Sequence, residues 1–140
     1  MAVSYQLVID CSSPETLARF WAEALHYVVA PPPDGFDSWD TFYRSIGVPE
    51  EELGIGDDRI VDPRGEGPQI WFPIVPEKKS VKNRLHIDVN PSGCDQAVEL
   101  ERLLALGARP VDVGQGEPSW VVLADPEGNE FCLLARRIDT

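Results

Sequence analysis

Histidine is scarce in this chain: two in 140 residues, His26 and His86. Any chemistry that needs two imidazoles would have to bring both to one place. The three cysteines, Cys11, Cys94 and Cys132, are an odd number with no paired spacing. That argues against a disulfide scaffold and suits a reducing, cytoplasmic compartment. Basic residues are few as well, 12 Lys and Arg against 24 Asp and Glu, for a formal net charge of −12. A surface that acidic repels phosphate backbones and anionic lipid, so neither nucleic acid nor a membrane is expected as a partner. No apolar run approaches membrane-spanning length, and Met1 to Cys11 lacks a basic stretch leading into an apolar one. A phosphate-cradling glycine loop is missing too. What remains is ordinary globular composition, 43% hydrophobic and 26% charged, at a length that suits one domain.

The chain repeats itself. Asp62-Pro63-Arg64-Gly65 and Asp125-Pro126-Glu127-Gly128 are the same D-P-x-G turn, and each precedes an apolar, strand-like run (Ile70 to Val75; Phe131 to Ala135). Upstream of each turn lies a helix. The first opens at Ser13-Pro14, with Ser13 as N-cap, and places Leu17, Phe20, Trp21, Ala24 and Leu25 at helical spacing. The second, about Cys94 to Leu106, places Ala97, Leu100, Leu103 and Leu104 on one face and ends at Gly107. A short β-type run precedes each helix, Tyr5 to Asp10 and Arg84 to Val89. The order strand, helix, strands, turn, strand occurs twice, which predicts an α+β protein of two βαββ modules. Module one is about residues 1–78 and module two about 79–140, within a single domain, 1–140. An insertion at about 31–54 carries a proline-rich loop and a short extra helix or lid at Ser38 to Arg44.

Alternation assigns faces to the strands. In Arg84-Leu85-His86-Ile87-Asp88-Val89 the odd positions are apolar and should pack on the helices. The even positions, Arg84, His86 and Asp88, then face the other side of the sheet, with Gln6 and Glu130 on the matching side of their strands. Polar groups converging on one concavity are the usual geometry of a small-molecule site. The four tryptophans divide in the same way. Trp21 belongs to the apolar face of the first helix and reads as core. Trp71, Phe72 and Trp120 are candidates for an aromatic wall that holds a flat or cationic ligand.

These residues resemble the vicinal oxygen chelate superfamily, in particular its glyoxalase-like and bleomycin-resistance-like single-domain proteins. The resemblance is carried by the twofold order, by Phe20-Trp21 before Ala24-Leu25, by Lys82 to Val89, and by Leu123-Ala124-Asp125-Pro126-Glu127-Gly128-Asn129-Glu130-Phe131-Cys132. It implies a curved mixed sheet around a cleft between the modules, a small-molecule ligand, and a homodimer. It also implies metal ligands on the first and last strands of each module. Carried over by position, these are Gln6, His86 and Cys132, the last standing where the family usually has glutamate. The fourth position falls on Gln69 or Trp71, and neither is the expected glutamate.

One usable histidine argues against extradiol dioxygenase and fosfomycin-type sites, which take two. A glyoxalase-type site remains, with a divalent zinc, nickel, manganese or iron ion on Gln6 and His86, Cys132 as a soft ligand, and Glu130 shuttling a proton. Asp88, Arg84, Trp71, Phe72 and Trp120 would then bind the substrate of a lyase or isomerase. The alternative is a metal-free protein of the bleomycin-resistance type that sequesters a small molecule in the same place.

Overall fold

The structure is a computed structural model and describes residues 1–54 and 56–136. The chain divides into two compact units, Met1–Pro76 and Glu77–Thr140. Unit one contains β1 (Leu7–Val8), α1 (Pro14–Leu25), β2 (Val28–Val29), α2 (Trp39–Ser45), β3 (Arg59–Val61) and β4 (Ile70–Trp71). Unit two contains β5 (Asp88–Val89), α3 (Gln96–Leu106), β6 (Arg109–Pro110), β7 (Val121–Ala124) and β8 (Glu130–Leu133). The sheet orders are β1-β4-β3-β2 and β5-β8-β7-β6. In each, the first and last strands of the unit pair in parallel and the remaining pairs are antiparallel. The two βαββ modules expected from the repeat are therefore present, and the extra helix of the insertion is α2.

The repeated turns have one construction. Gly65 N donates to Asp62 O and Gly128 N to Asp125 O, both at 2.9 Å, and both glycines have positive φ, 72° and 90°. Each Asp side chain accepts from the residue two further on, Arg64 N and Glu127 N, both at 2.9 Å. Asp62 takes Glu66 N and Gly67 N as well; its pKa is lowered, first by the Arg64 amide. This is the Asx-turn chemistry that makes Asp-Pro-x-Gly a reliable chain reversal.

The core of unit one joins Leu17, Phe20 and Trp21 of α1 to Ile60, Ile70 and Phe72 of the sheet side, all at most 3% exposed. Phe20 and Trp21 meet edge to face with centroids 5.2 Å apart. In unit two Leu103, Leu123, Phe131 and Leu133 are fully buried.

Two expectations about packing are corrected. Leu85 is largely exposed, because the strand begins only at Asp88 and the chain bends at residues 84 and 85. On α3 the buried pair is Glu99 and Leu103, whereas Ala97 and Leu104 are exposed. The inward face therefore keeps Leu103 of the expected stripe but adds Glu99, and so carries a carboxylate. Glu99 is tolerated inside because Ser92 N, Arg102 Nε and Cys94 Sγ donate to it. Among the described residues, no helix is long and apolar enough to cross a membrane.

Candidate functional site

His86 and Asp88 are two residues apart on the approach to β5, so alternation puts them on one side of the sheet. Cys132 on β8 is the register partner of Asp88 and joins them there. The His86 Nδ1 lies 3.4 Å from Asp88 Oδ1. One ligand atom from each of His86, Asp88 and Cys132 falls within 4.8 Å of the others. His86 and Asp88 are exposed and Cys132 is half-buried. Burial, and then the Asp88 charge, pushes the Cys132 thiol up, while Lys82 draws it down. The raising effects prevail and leave Cys132 a weaker acid than an ordinary cysteine.

This trio lies on a cavity of about 370 Å³ contained within unit two. Val113, Trp120, Val122, Phe131 and Leu134 form its apolar walls, and Lys82 and Glu130 contribute charge. Trp120 is 43% exposed, so a wide part of its indole is open to a ligand. Of the expected site residues, His86, Asp88, Cys132, Trp120 and Glu130 are thus gathered around one space.

Glu130 is constrained there. Its carboxylate accepts from Lys79 Nζ at 2.9 Å and from Asn83 N at 3.0 Å. Burial raises its pKa, but these two partners outweigh burial and leave it below the ordinary range. A carboxylate held ionised by two donors is a weak base. The geometry therefore makes Glu130 a pin between the inter-module segment and β8, in place of the expected proton shuttle. Arg84 is exposed and does not line the cavity; Lys82 does.

The remaining candidates belong to unit one. Gln6 Oε1 accepts from Gln69 Nε2 at 3.4 Å. Trp71 Nε1 donates to Asp58 Oδ2 at 3.0 Å, and the Arg59 guanidinium lies over the Trp71 ring. Burial raises the Asp58 pKa against the lowering effects of Trp71 and Arg59. Phe72 is wholly buried and is corrected from ligand wall to core. Adjacent residues along a strand point to opposite faces, so Trp71 and Phe72 do not share one.

Register also resolves the undecided fourth position. Arg59 precedes Asp62 by as many residues as Val122 precedes Asp125, and they pair with Trp71 and Cys132 respectively. Trp71, not Gln69, therefore corresponds to Cys132. The row Val8, Trp71, Arg59 in unit one matches Asp88, Cys132, Val122 in unit two. Sequence reasoning passed over Arg59 and Asp58; aligning the two halves on their D-P-x-G turns would have brought Arg59 forward.

Residues 6–134 match the family described as a glyoxalase-like domain. The chain is similar to the fosfomycin resistance protein FosX from Mesorhizobium loti, at 11% identity and TM-score 0.61 over 99% of this chain and 94% of that one. FosX from Listeria monocytogenes is similar at 13% identity and TM-score 0.58, over 99% and 96%. A glyoxalase/bleomycin resistance protein/dioxygenase family enzyme from Burkholderia phytofirmans PsJN is similar at 16% identity and TM-score 0.53, over 91% and 94%. A search of curated proteins finds no match.

Proposed function

We propose that this chain, which belongs to the glyoxalase-like domain family of the vicinal oxygen chelate superfamily, binds a small molecule in the unit-two cavity and acts on it as a metal-dependent lyase or isomerase. The observation that carries the reading is the convergence of His86, Asp88 and Cys132 within 4.8 Å at the edge of that cavity. The donor set fits a divalent cation. Ligands at bond lengths of about 2.0–2.3 Å around a tetrahedral ion are about 3.5 Å apart, so a small inward rotation of the side chains closes the set. One imidazole, one carboxylate and one thiolate favour zinc over manganese or nickel.

A bound cation would supply Lewis acidity toward adjacent oxygens of the substrate. The chain's own groups do the rest. His86 and Asp88 hold each other in register. Cys132 gives up its proton when it ligates, so binding should strengthen as pH rises. Lys82 offers a positive charge to an anionic group of the substrate, and Trp120 with Val113 and Phe131 keeps water from the bound molecule.

The test is elemental analysis of the purified protein, together with zinc titration of the wild type and of His86→Ala by calorimetry. Stoichiometric zinc in the wild type and none in the variant supports the reading. Negligible affinity in both removes it. The exposed Trp120 and the apolar walls support a second reading, metal-free sequestration, which predicts ligand-induced thermal stabilisation unchanged by chelator and weakened in Trp120→Ala. Family habit makes a homodimer the expected assembly, which light scattering in solution would measure.

A further inference from the structure

Unit one carries a charged device of its own. Trp39, supplied by α2 of the insertion, and Trp71 of β4 flank the guanidinium of Arg59, with Cζ 5.6 Å and 5.5 Å from the two ring centroids. Both indoles are tied down. Trp39 Nε1 donates to Ala30 O at 2.9 Å, and Trp71 Nε1 donates to Asp58 Oδ2 at 3.0 Å. The other oxygen of Asp58 lies 3.8 Å from Arg59 Nε, close enough for ionic attraction and too far for a hydrogen bond. Asp58 Oδ1 and Arg59 Nε are both buried without a hydrogen-bond partner. Among the described residues, nothing accepts a hydrogen bond from the terminal nitrogens of Arg59 either. Yet its side chain is 32% exposed.

A guanidinium is charged at every working pH and presents its donors in a planar fork. Held between two rings with part of its side chain open to solvent, the fork is pre-oriented for a charge-assisted pair with an oxyanion. The aromatic pair already contains its cation, so what it lacks is an acceptor. We infer that Arg59 is the recognition residue for a small carboxylate ligand on the sheet face shared by Val8, Trp71 and Arg59. The register places these three in one row across β1, β4 and β3. Val8 is 44% exposed and gives an apolar neighbour to the ligand's carbon portion. With a net charge of −12 on the chain, a monoanion meets less repulsion than a phosphate dianion. The acidic cavity beside Trp39, lined by Glu15, Asp37, Asp40 and Asp57, does not include Arg59, so the ligand is not placed in that space. The tryptophans thus serve the protein's own cation and set the ligand's charge as negative, the reverse of an aromatic wall for cationic compounds.

The experiment is an NMR titration of the full chain in chelator, following the indole N–H signals, with benzoate as probe and benzamide as its uncharged isostere. Signals of Trp39 and Trp71 are assigned through their Phe variants. Benzoate should shift both saturably and benzamide should not. Arg59→Gln should lose the response, and Arg59→Lys, which keeps the charge but not the fork, should weaken it by about tenfold or more. Equal responses to benzoate and benzamide, no saturable response to benzoate, or wild-type affinity in Arg59→Lys overturns the inference. The Lys variant decides the matter if the Gln variant fails to fold. Chelator keeps the outcome separate from the metal reading of unit two.

Discussion

Trp71 and Cys132 hold the same place in two sheets of identical strand order. Each lies on the strand between the first and third of its sheet, opposite Val8 and Arg59 in one unit and Asp88 and Val122 in the other. The backbone of the repeat is shared and the chemistry is not. In unit two this row offers a carboxylate and a thiol beside His86; in unit one it offers a ring stacked on a guanidinium.

Cys132→Glu should redirect metal preference without disturbing the fold. Position 132 faces the half-open cavity, so a longer carboxylate has room. Exchanging a soft thiolate for hard oxygen should lower zinc affinity by about tenfold or more while improving manganese or nickel binding. Calorimetric titration with each metal measures this. An unchanged order of affinities would show that the sulfur is not a ligand.

Glu99 gives acid stability a specific source. Burial raises its pKa, but hydrogen bonds from Ser92 N, Arg102 and Cys94 outweigh burial and lower it. Because the folded value lies below the unfolded one, its stabilisation is complete above the ordinary glutamate value of about 4.3 and fades as pH falls through the folded value. Glu99→Gln should cost about 2–3 kcal/mol at pH 7, since it removes the charge and replaces one of the two acceptor oxygens of a buried network with a donor. Urea titrations from pH 7 down to about pH 3 should show the gap between wild type and variant closing. A gap that stays constant with pH would mean the charge of Glu99 contributes nothing.

The twofold order was legible because it rests on local chemistry: two Asx turns, a proline at N1, and a glycine after Leu106 whose φ is 120°. Cap and turn positions declare themselves in a few consecutive residues. The inward face of α3 did not, because Glu99 is buried through partners at Ser92, Cys94 and Arg102 that an apolar count ignores. Pairing Trp71 with Phe72 on one wall neglected the alternation that had served well elsewhere. His86, Asp88 and Cys132 were all named from the sequence, two from family position and one from strand alternation. Arg59 was not, since its setting depends on Trp39, which reaches it from the insertion. Distant stacking leaves no local signature.

Glu130→Gln separates a structural pin from a proton carrier. The Lys79–Glu130 pair is mostly buried, with side chains 19% and 14% exposed. Glutamine keeps the shape and loses the charge, so Lys79 keeps Val81 O as an acceptor but loses its counter-ion, and stability should fall by about 1–3 kcal/mol. Chemical denaturation at neutral pH measures this. Unchanged stability with altered ligand turnover would restore Glu130 to the chemistry.

The scarcity of histidine bears on stability as well, through His26. It is the only non-glycine residue with positive φ among the described residues, at 57°, and it ends α1 in the left-handed conformation with Tyr27 N bonded to Ala22 O at 2.8 Å. The second module uses Gly107 in this role. A side chain in that conformation costs about 1 kcal/mol or more, and glycine gives back part of the gain by loosening the unfolded chain. His26→Gly should therefore stabilise the protein by about 0.5–1 kcal/mol, raising Tm by about 2–3 °C. Gly107→Ala should do the opposite by a similar amount. Both are read from thermal and urea unfolding. A loss of stability in His26→Gly would mean the imidazole has a partner that outweighs its strained backbone, and would return the second of two histidines to the search for function.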